Sequence, residues 1–100
     1  MQTYLITWRS PTAEIQFAAG EAFSKWFKEG EAENNPTGFE RVAWCSIMQN
    51  GSGVSIVKAN SLEVIWRVYG KWRKLGLDID IQPAATMQEA ADWFKESNYL

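Results

Sequence analysis

Residues 39–60 read FERVAWCSIMQNGSGVSIVKAN. Two runs rich in β-branched and aromatic residues, 39–48 and 54–59, flank a short polar segment centred on Asn50-Gly51. Asn-Gly between two such runs predicts a β-hairpin, because both residues tolerate the positive φ of a turn twisted like its strands. The NGSG at 50–53 is not a phosphate loop: it lacks the following Lys-Ser/Thr and the helix that such a loop opens. Asn60 closes the second run and is expected to cap a helix, with Glu63 three positions on at capping-box spacing.

On the carboxyl side, WRVYGKWRKLG at 66–76 interleaves aromatic and basic residues. At about 100° per residue, Leu62, Ile65, Trp66, Val68, Tyr69, Trp72 and Leu75 share one arc, and Glu63, Arg67, Lys71 and Lys74 share the other. That is an amphipathic helix with a core side and a solvated side, not a base-stacking surface. Arg73 falls on the apolar side near Trp66, where stacking on that ring, reaching past the helix end or pairing with a carboxylate are all open to it. Mid-helix Gly70 implies a close neighbour or a surface position. Gly76 is expected to end the helix in a left-handed conformation. LDIDIQP, 77–83, alternates cleanly and reads as a half-exposed strand closed by Pro83. Thr86 and Glu89 form a further capping box, opening a short helix with Met87, Ala90, Ala91 and Phe94 on one stripe.

On the amino side, QTYLITWR at 2–9 sets Tyr4, Ile6 and Trp8 against Thr3, Leu5 and Thr7, both sides fairly apolar, as in a central strand. SPTAE supplies a helix start, with Ser10 or Thr12 as the cap and Pro11 in the first turn. Ile15, Ala18, Ala19, Ala22, Phe23 and Trp26 recur at helical spacing to about Lys28, and GEAENNPTG at 30–38 breaks the helix. The order is β-α-β-β-α-β plus a final helix. It predicts an α+β, ferredoxin-like fold over residues 1–100 as one domain: a four-stranded antiparallel sheet with two helices on one face. Val42 and Trp44 oppose Phe39, Ala43 and Ile47 in the second strand, so the uncovered sheet face is expected to meet an identical subunit. Trp8 and Trp44 are then expected in the core of that homodimer interface. Six Trp, three Tyr and five Phe in 100 residues point the same way, being more aromatic mass than one small core readily hides.

The formal charge of −2 divides unevenly. Residues 1–60 carry five basic and six acidic side chains, residues 61–76 four and one, and residues 77–100 one and five, giving −1, +3 and −4. No nucleic-acid partner is expected, since such footprints come with a basic domain. The RNA-recognition fold shares this element order and stacks bases on its first and third strands, but VSIVKA at 54–59 has no aromatic. The chain has no histidine, which removes the commonest general base and metal ligand, and no metal or other cofactor is expected. Cys45 is alone, most simply a small buried hydrophobe, and fits a reducing compartment. No apolar run approaches the ~20 residues that span a bilayer, so no membrane association and a soluble cytoplasmic protein are expected.

Among candidate site residues, Asp78 and Asp80 lie on one strand face, where paired acids can hold a cation, transfer protons or keep an edge strand from aggregating. Trp8, Arg9, Arg41 and Trp44 can wall a pocket for an anionic aromatic or acyl compound, and Arg73 is a further anion-binding candidate. The candidate ligand-binding set is therefore Trp8, Arg9, Arg41, Trp44, Arg73 and Asp80, with no catalytic residue assigned.

YLITW at 4–8, the hairpin segment at 39–60 and WRVYGKWRKLGLDIDIQPAATMQEA at 66–90 resemble the domain-of-unknown-function family numbered 3303. The likeness covers most of the chain outside residues 17–37. It implies membership of the dimeric α/β-barrel group of ferredoxin-like proteins and a dimer, and implies no reaction. Family members tend to carry Trp-His where this chain has Trp44-Cys45, and acidic residues where it has Lys58-Ala59-Asn60. A site built on those positions in relatives would have different chemistry here. The expected function is a non-enzymatic homodimeric module that binds a small ligand or partner. The alternative is a small cofactor-independent enzyme acting on an aromatic or acyl compound between sheet and helices.

Overall fold

In a computed structural model that describes residues 1–47 and 49–96, β1 (Gln2–Arg9) runs through the middle of an antiparallel sheet. It lies between β3 (Ser52–Ala59) and β4 (Asp78–Ala84), with β2 (Phe39–Ile47) at the edge beyond β3, so the strand order is β2-β3-β1-β4. A strand apolar on both sides belongs in such a central position. The helix α1 (Ala13–Lys28) connects β1 to β2 and α2 (Leu62–Leu75) connects β3 to β4, each connection skipping one strand. A last helix, α3 (Met87–Glu96), follows β4. The expected continuation of the second strand to Met48 lies outside the described residues.

Register assigns the faces, because paired residues share a side of the sheet. Ile6 pairs with Ser55 and Ile81, Tyr4 with Val57, and Trp8 with Gly53 and Ile79. These face α1 and α2, where Ile6, Val57, Ala59 and Ile65 are fully buried with Tyr69, Trp72 and Trp26 around them. The opposite face carries Leu5 beside Ile56 and Gln82, and Thr7 beside Val54 and Asp80.

β2 departs from strict alternation. Its register against β3 slips between Arg41, which pairs with Val57, and Ala43, which pairs with Ile56. Val42 is the extra residue of a β-bulge, and the slip reverses the phase of every residue after it. Phe39, Arg41 and Trp44 therefore all face the helices, whereas simple alternation set Trp44 opposite Phe39. This also corrects the expectation that Trp8 and Trp44 fill a dimer interface: both lie on the helix-covered face.

The helix ends follow their capping chemistry, with one correction. Thr12 Oγ1 accepts from the Ile15 N–H at 3.1 Å, and Gly76 ends α2 at φ 121°. The cap of α2 is Ser61, whose Oγ accepts from the Val64 N–H at 3.3 Å, not Asn60. Asn60 is engaged one residue earlier, its N–H donating to the Gly38 carbonyl at 2.9 Å. Glu63 pairs with Arg67 one turn on, at 2.8 Å, instead of closing a capping box. The box at α3 forms as expected. Thr86 N–H donates to Glu89 Oε1 at 3.0 Å and Glu89 N–H to Thr86 Oγ1 at 3.1 Å. Thr3 Oγ1 donates to the same carboxylate at 3.2 Å and ties α3 to the sheet. The Thr86 N–H, first of all, then the Thr86 hydroxyl hold the Glu89 carboxyl below its ordinary pKa. Among the described residues no helix is long and apolar enough to cross a membrane.

Candidate functional site

Between α1, the middle of α2 and the covered sheet face lies a cavity of about 880 Å³. Its walls are mainly aromatic: Trp8 from β1, Phe23 and Trp26 from α1, Trp44 from β2, and Tyr69 and Trp72 from α2. The helical members come from local patterning and Trp44 from the register slip of β2. Trp26 and Trp72 sit on the inner arcs of their helices and meet edge to face, ring centroids 5.4 Å apart. Trp44, delivered by the bulge, stands 6.0 Å from Trp26 and 5.9 Å from Phe23. Such tilted aromatic pairs contribute about 0.5–1.5 kcal/mol each beyond simple area burial. The Trp8 ring lies across Gly53, where a Cβ would fall 2.8 Å from Cη2 and nearer still to Cζ2 and Cε2.

The helix above the cavity borders it with small side chains set among large ones, Gln16, Phe17, Phe23 and Phe27 included. Ala19, Gly20 and Ser24 of α1 border it, and a Cβ at Gly20 would meet nothing within 4 Å. The amino end of α1 is held down by close fits elsewhere. Gln16 packs on Gly51 and Ile15 on Gly76, and Ser10 Oγ donates to the Gly51 carbonyl at 3.2 Å.

Polar side chains make up the smaller part of this wall, from Ser10, Gln16, Glu21, Ser24, Arg41, Ser46 and Tyr69. Tyr69 OH and the buried Ser55 Oγ share a hydrogen bond of 2.8 Å, which uses one of their two hydroxyl protons. Arg41 is half-buried, its guanidinium 4.3 Å over the Trp44 ring, with Phe39 and Trp26 at 5.5 and 5.9 Å. Its Nη1 donates to the Ala32 carbonyl at 3.1 Å, and its buried Nε has no partner among the described residues. Arg41 and Trp44 also border a smaller recess of about 460 Å³ bounded by Ala32, Glu33, Asn35 and Val42. Lys71, read from sequence as a solvated residue, spans two roles. Its Nζ lies 5.0 and 5.2 Å from the Trp26 and Trp72 rings and 3.7 Å from Glu31 Oε2.

The family model described as Domain of unknown function (DUF3303) matches residues 2–98. The chain belongs to that family. The match runs through residues 17–37, where motif resemblance has a gap, so the α1 side of the cavity lies within the DUF3303 unit. No curated protein and no solved structure matches the chain.

In this DUF3303 protein, three of the six sequence-derived candidates converge: Trp8, Arg41 and Trp44 all border the cavity. The other three do not. Arg9 sits on the opposite face, Nε 3.3 Å from Asp78 Oδ2, with both side chains largely exposed. Asp80 shares that face and accepts from Gln82 Nε2 at 2.9 Å. Arg73 takes the stacking option, its guanidinium 5.1 Å over Trp66. Gly70 is simply a surface position, with nothing within 4 Å of where its Cβ would stand. Cys45 is an exposed free thiol, not a buried hydrophobe, because the bulge turns it away from the helices. Tyr4 and Trp8, the aromatics of the first strand, face the helices, so neither is placed to stack a base on the opposite sheet face. The sequence puts Tyr69 and Trp72 on the core side of α2 and Trp26 on the apolar spacing of α1, without showing that all three wall a cavity. The one legible signal was the small residues Ala19, Gly20 and Ser24 among the larger ones of α1.

Proposed function

We propose that this DUF3303 protein is a non-enzymatic binding module that holds a small, largely apolar ligand between its helices and its sheet. The observation that carries the reading is the cavity of about 880 Å³ with tryptophan walls and polar side chains in the smaller part. Ligand sites are typically concavities of roughly 300–1,000 Å³ with apolar walls and a small number of placed polar groups. Native mass spectrometry of protein purified without added ligand is expected to show a bound small molecule. Gly20→Leu puts a side chain into the open space and favours the helix, so it is expected to remove that mass while raising stability. A wild-type protein that carries nothing and binds neither a neutral nor an anionic naphthalene probe in calorimetry would overturn the reading, as would unchanged binding by Gly20→Leu.

The proposal includes assembly as a homodimer of ferredoxin-like domains, a dimeric α/β barrel joined through the sheet face opposite α1 and α2, beside the Thr3–Glu89 attachment of α3. The β2-β3-β1-β4 order supports the fold grouping. Support for the interface comes from an apolar strip of Leu5, Val54, Ile56 and Ile47, of which Ile56 is 39% and Ile47 48% exposed. A persistent 11.4 kDa monomer in sedimentation at micromolar concentration would sink the dimer without touching the cavity. The lone exposed thiol Cys45 fits a reducing compartment, and the cytoplasm is the proposed location.

A further inference from the structure

We infer that the cavity selects an organic monoanion, an aromatic or acyl carboxylate, and that Arg41 binds its charged end. This rests on the cavity being a ligand site, and it specifies the ligand class. A guanidinium drawn out of water is costly unless a counter-charge and hydrogen-bond acceptors replace its hydration. Arg41 is half-buried, with a fully desolvated Nε that donates to nothing among the described residues. It also belongs to none of the three ion pairs among them, Arg9–Asp78, Arg67–Glu63 and Lys71–Glu31. The side chain is therefore a cation with an unused donor and no counter-ion, standing in the wall of an apolar cavity.

Its orientation fits an anion better than it fits a purely structural part. The Trp44 ring occupies a face of the guanidinium at 4.3 Å. Stacking uses the faces and leaves the in-plane N–H groups, and those are the groups that grip a carboxylate in paired hydrogen bonds. The Ala32 carbonyl takes one Nη1 donor, and Nη2, unlike the sealed Nε, is left for a ligand, with no hydrogen-bond partner among the described residues. Charge in the surroundings does not oppose the reading. Glu21, the acidic residue bordering the cavity, is exposed to solvent, Glu31 is beside Lys71, and Glu33, which borders the adjoining recess with Arg41, is exposed and forms no ion pair with it. The remaining wall of tryptophan, tyrosine and phenylalanine suits a flat ring or an acyl chain, and its low polarity strengthens attraction between Arg41 and an anion.

The test is calorimetric titration of the full chain with 2-naphthoate and with its neutral isostere 2-naphthamide at about pH 7, where the carboxylate is ionised. Wild-type protein is expected to bind the carboxylate at least about tenfold more tightly, as a charge-assisted pair implies. Arg41→Met is expected to abolish that preference by weakening naphthoate alone, and Arg41→Lys to keep part of it. Equal affinities in the wild type, or a preference that survives in Arg41→Met, would overturn the inference and leave the cavity reading standing. Binding of neither compound would remove both. The wild-type comparison needs no variant, so a failure of Arg41→Met to fold would leave the inference open to refutation. In that case Arg41→Lys must show the reduced preference.

Discussion

Replacing Gly53 by alanine sets a methyl group against the ring that walls the cavity. Gly53 pairs with Trp8 across β1 and β3, is itself buried, and shares the helix-covered face. A Cβ there would stand 2.8 Å from Trp8 Cη2 and closer to two further ring atoms, separations no relaxed contact adopts. Either the indole turns or the two strands move apart. Overpacking of this kind costs about 1–3 kcal/mol. Alanine for glycine, with nothing in the way, gains roughly 0.4–1 kcal/mol by restricting the unfolded chain. The net expectation is a loss of about 1–2 kcal/mol, and each kcal/mol lowers Tm by roughly 4–8 °C in a domain of this size. Urea unfolding followed by far-UV circular dichroism, on wild type, Gly53→Ala, Trp8→Ala and the double variant, isolates the contact. In the Trp8→Ala background the clash is absent, so Gly53→Ala should be neutral or stabilising, a coupling of about 1–3 kcal/mol between the two positions. Equal cost in both backgrounds would show that Trp8 does not lie on Gly53, and the cavity wall drawn from that placement would be wrong.

Three further outcomes follow from the same geometry. Gly70→Ala, mid-way along α2 with nothing within 4 Å of the new Cβ, should stabilise by about 1 kcal/mol, and a lowered melting temperature would refute the open surroundings. Ser61→Ala should cost about 1 kcal/mol by removing the cap of α2. Glu63→Ala, which loses only an exposed pair, should stay within about 1 kcal/mol of wild type, and the reverse ranking in urea unfolding would restore the capping box. The Glu89 carboxyl is held below its ordinary 4.5 in the folded protein. A lowered folded pKa contributes stability that is present above the unfolded value and is lost as pH falls through the folded one. Urea midpoints of wild type and Glu89→Gln should therefore differ near neutrality and converge as pH falls from the ordinary carboxylate range through the lowered folded value. A difference that does not change with pH would refute the carboxylate's role in tying α3 down.

Much of the molecule was legible residue by residue. Period-2 alternation, Asn50-Gly51, Gly76 and the Thr86-Glu89 box report local physics, and the elements form where those signals lie. The assignment of Trp26, Tyr69 and Trp72 to inner helix faces came from spacing alone. The same holds for half of the candidate site: an aromatic wall containing an arginine was readable from Trp8, Arg41 and Trp44. Arg9 and Asp80 were misassigned to it because a residue type does not reveal which side of the sheet it faces.

What alternation could not supply was phase. One extra residue in β2, Val42, carries no distinctive chemistry, since a bulge is a property of the pairing with β3 and not of the strand by itself. It brings Arg41 and Trp44 to one face and sends Cys45 to the other. The contact of Trp8 with Gly53 exists only in register, across 45 residues of chain. The cavity itself is a difference between two surfaces, the spacing set by ring-on-ring contacts and by the mixture of small and large side chains on α1. Composition and periodicity of this chain name the surfaces. Their separation, and with it the unpartnered Nε of Arg41 in the cavity wall, is set by long-range packing, because side-chain volume and strand register act together only once the chain has closed on itself.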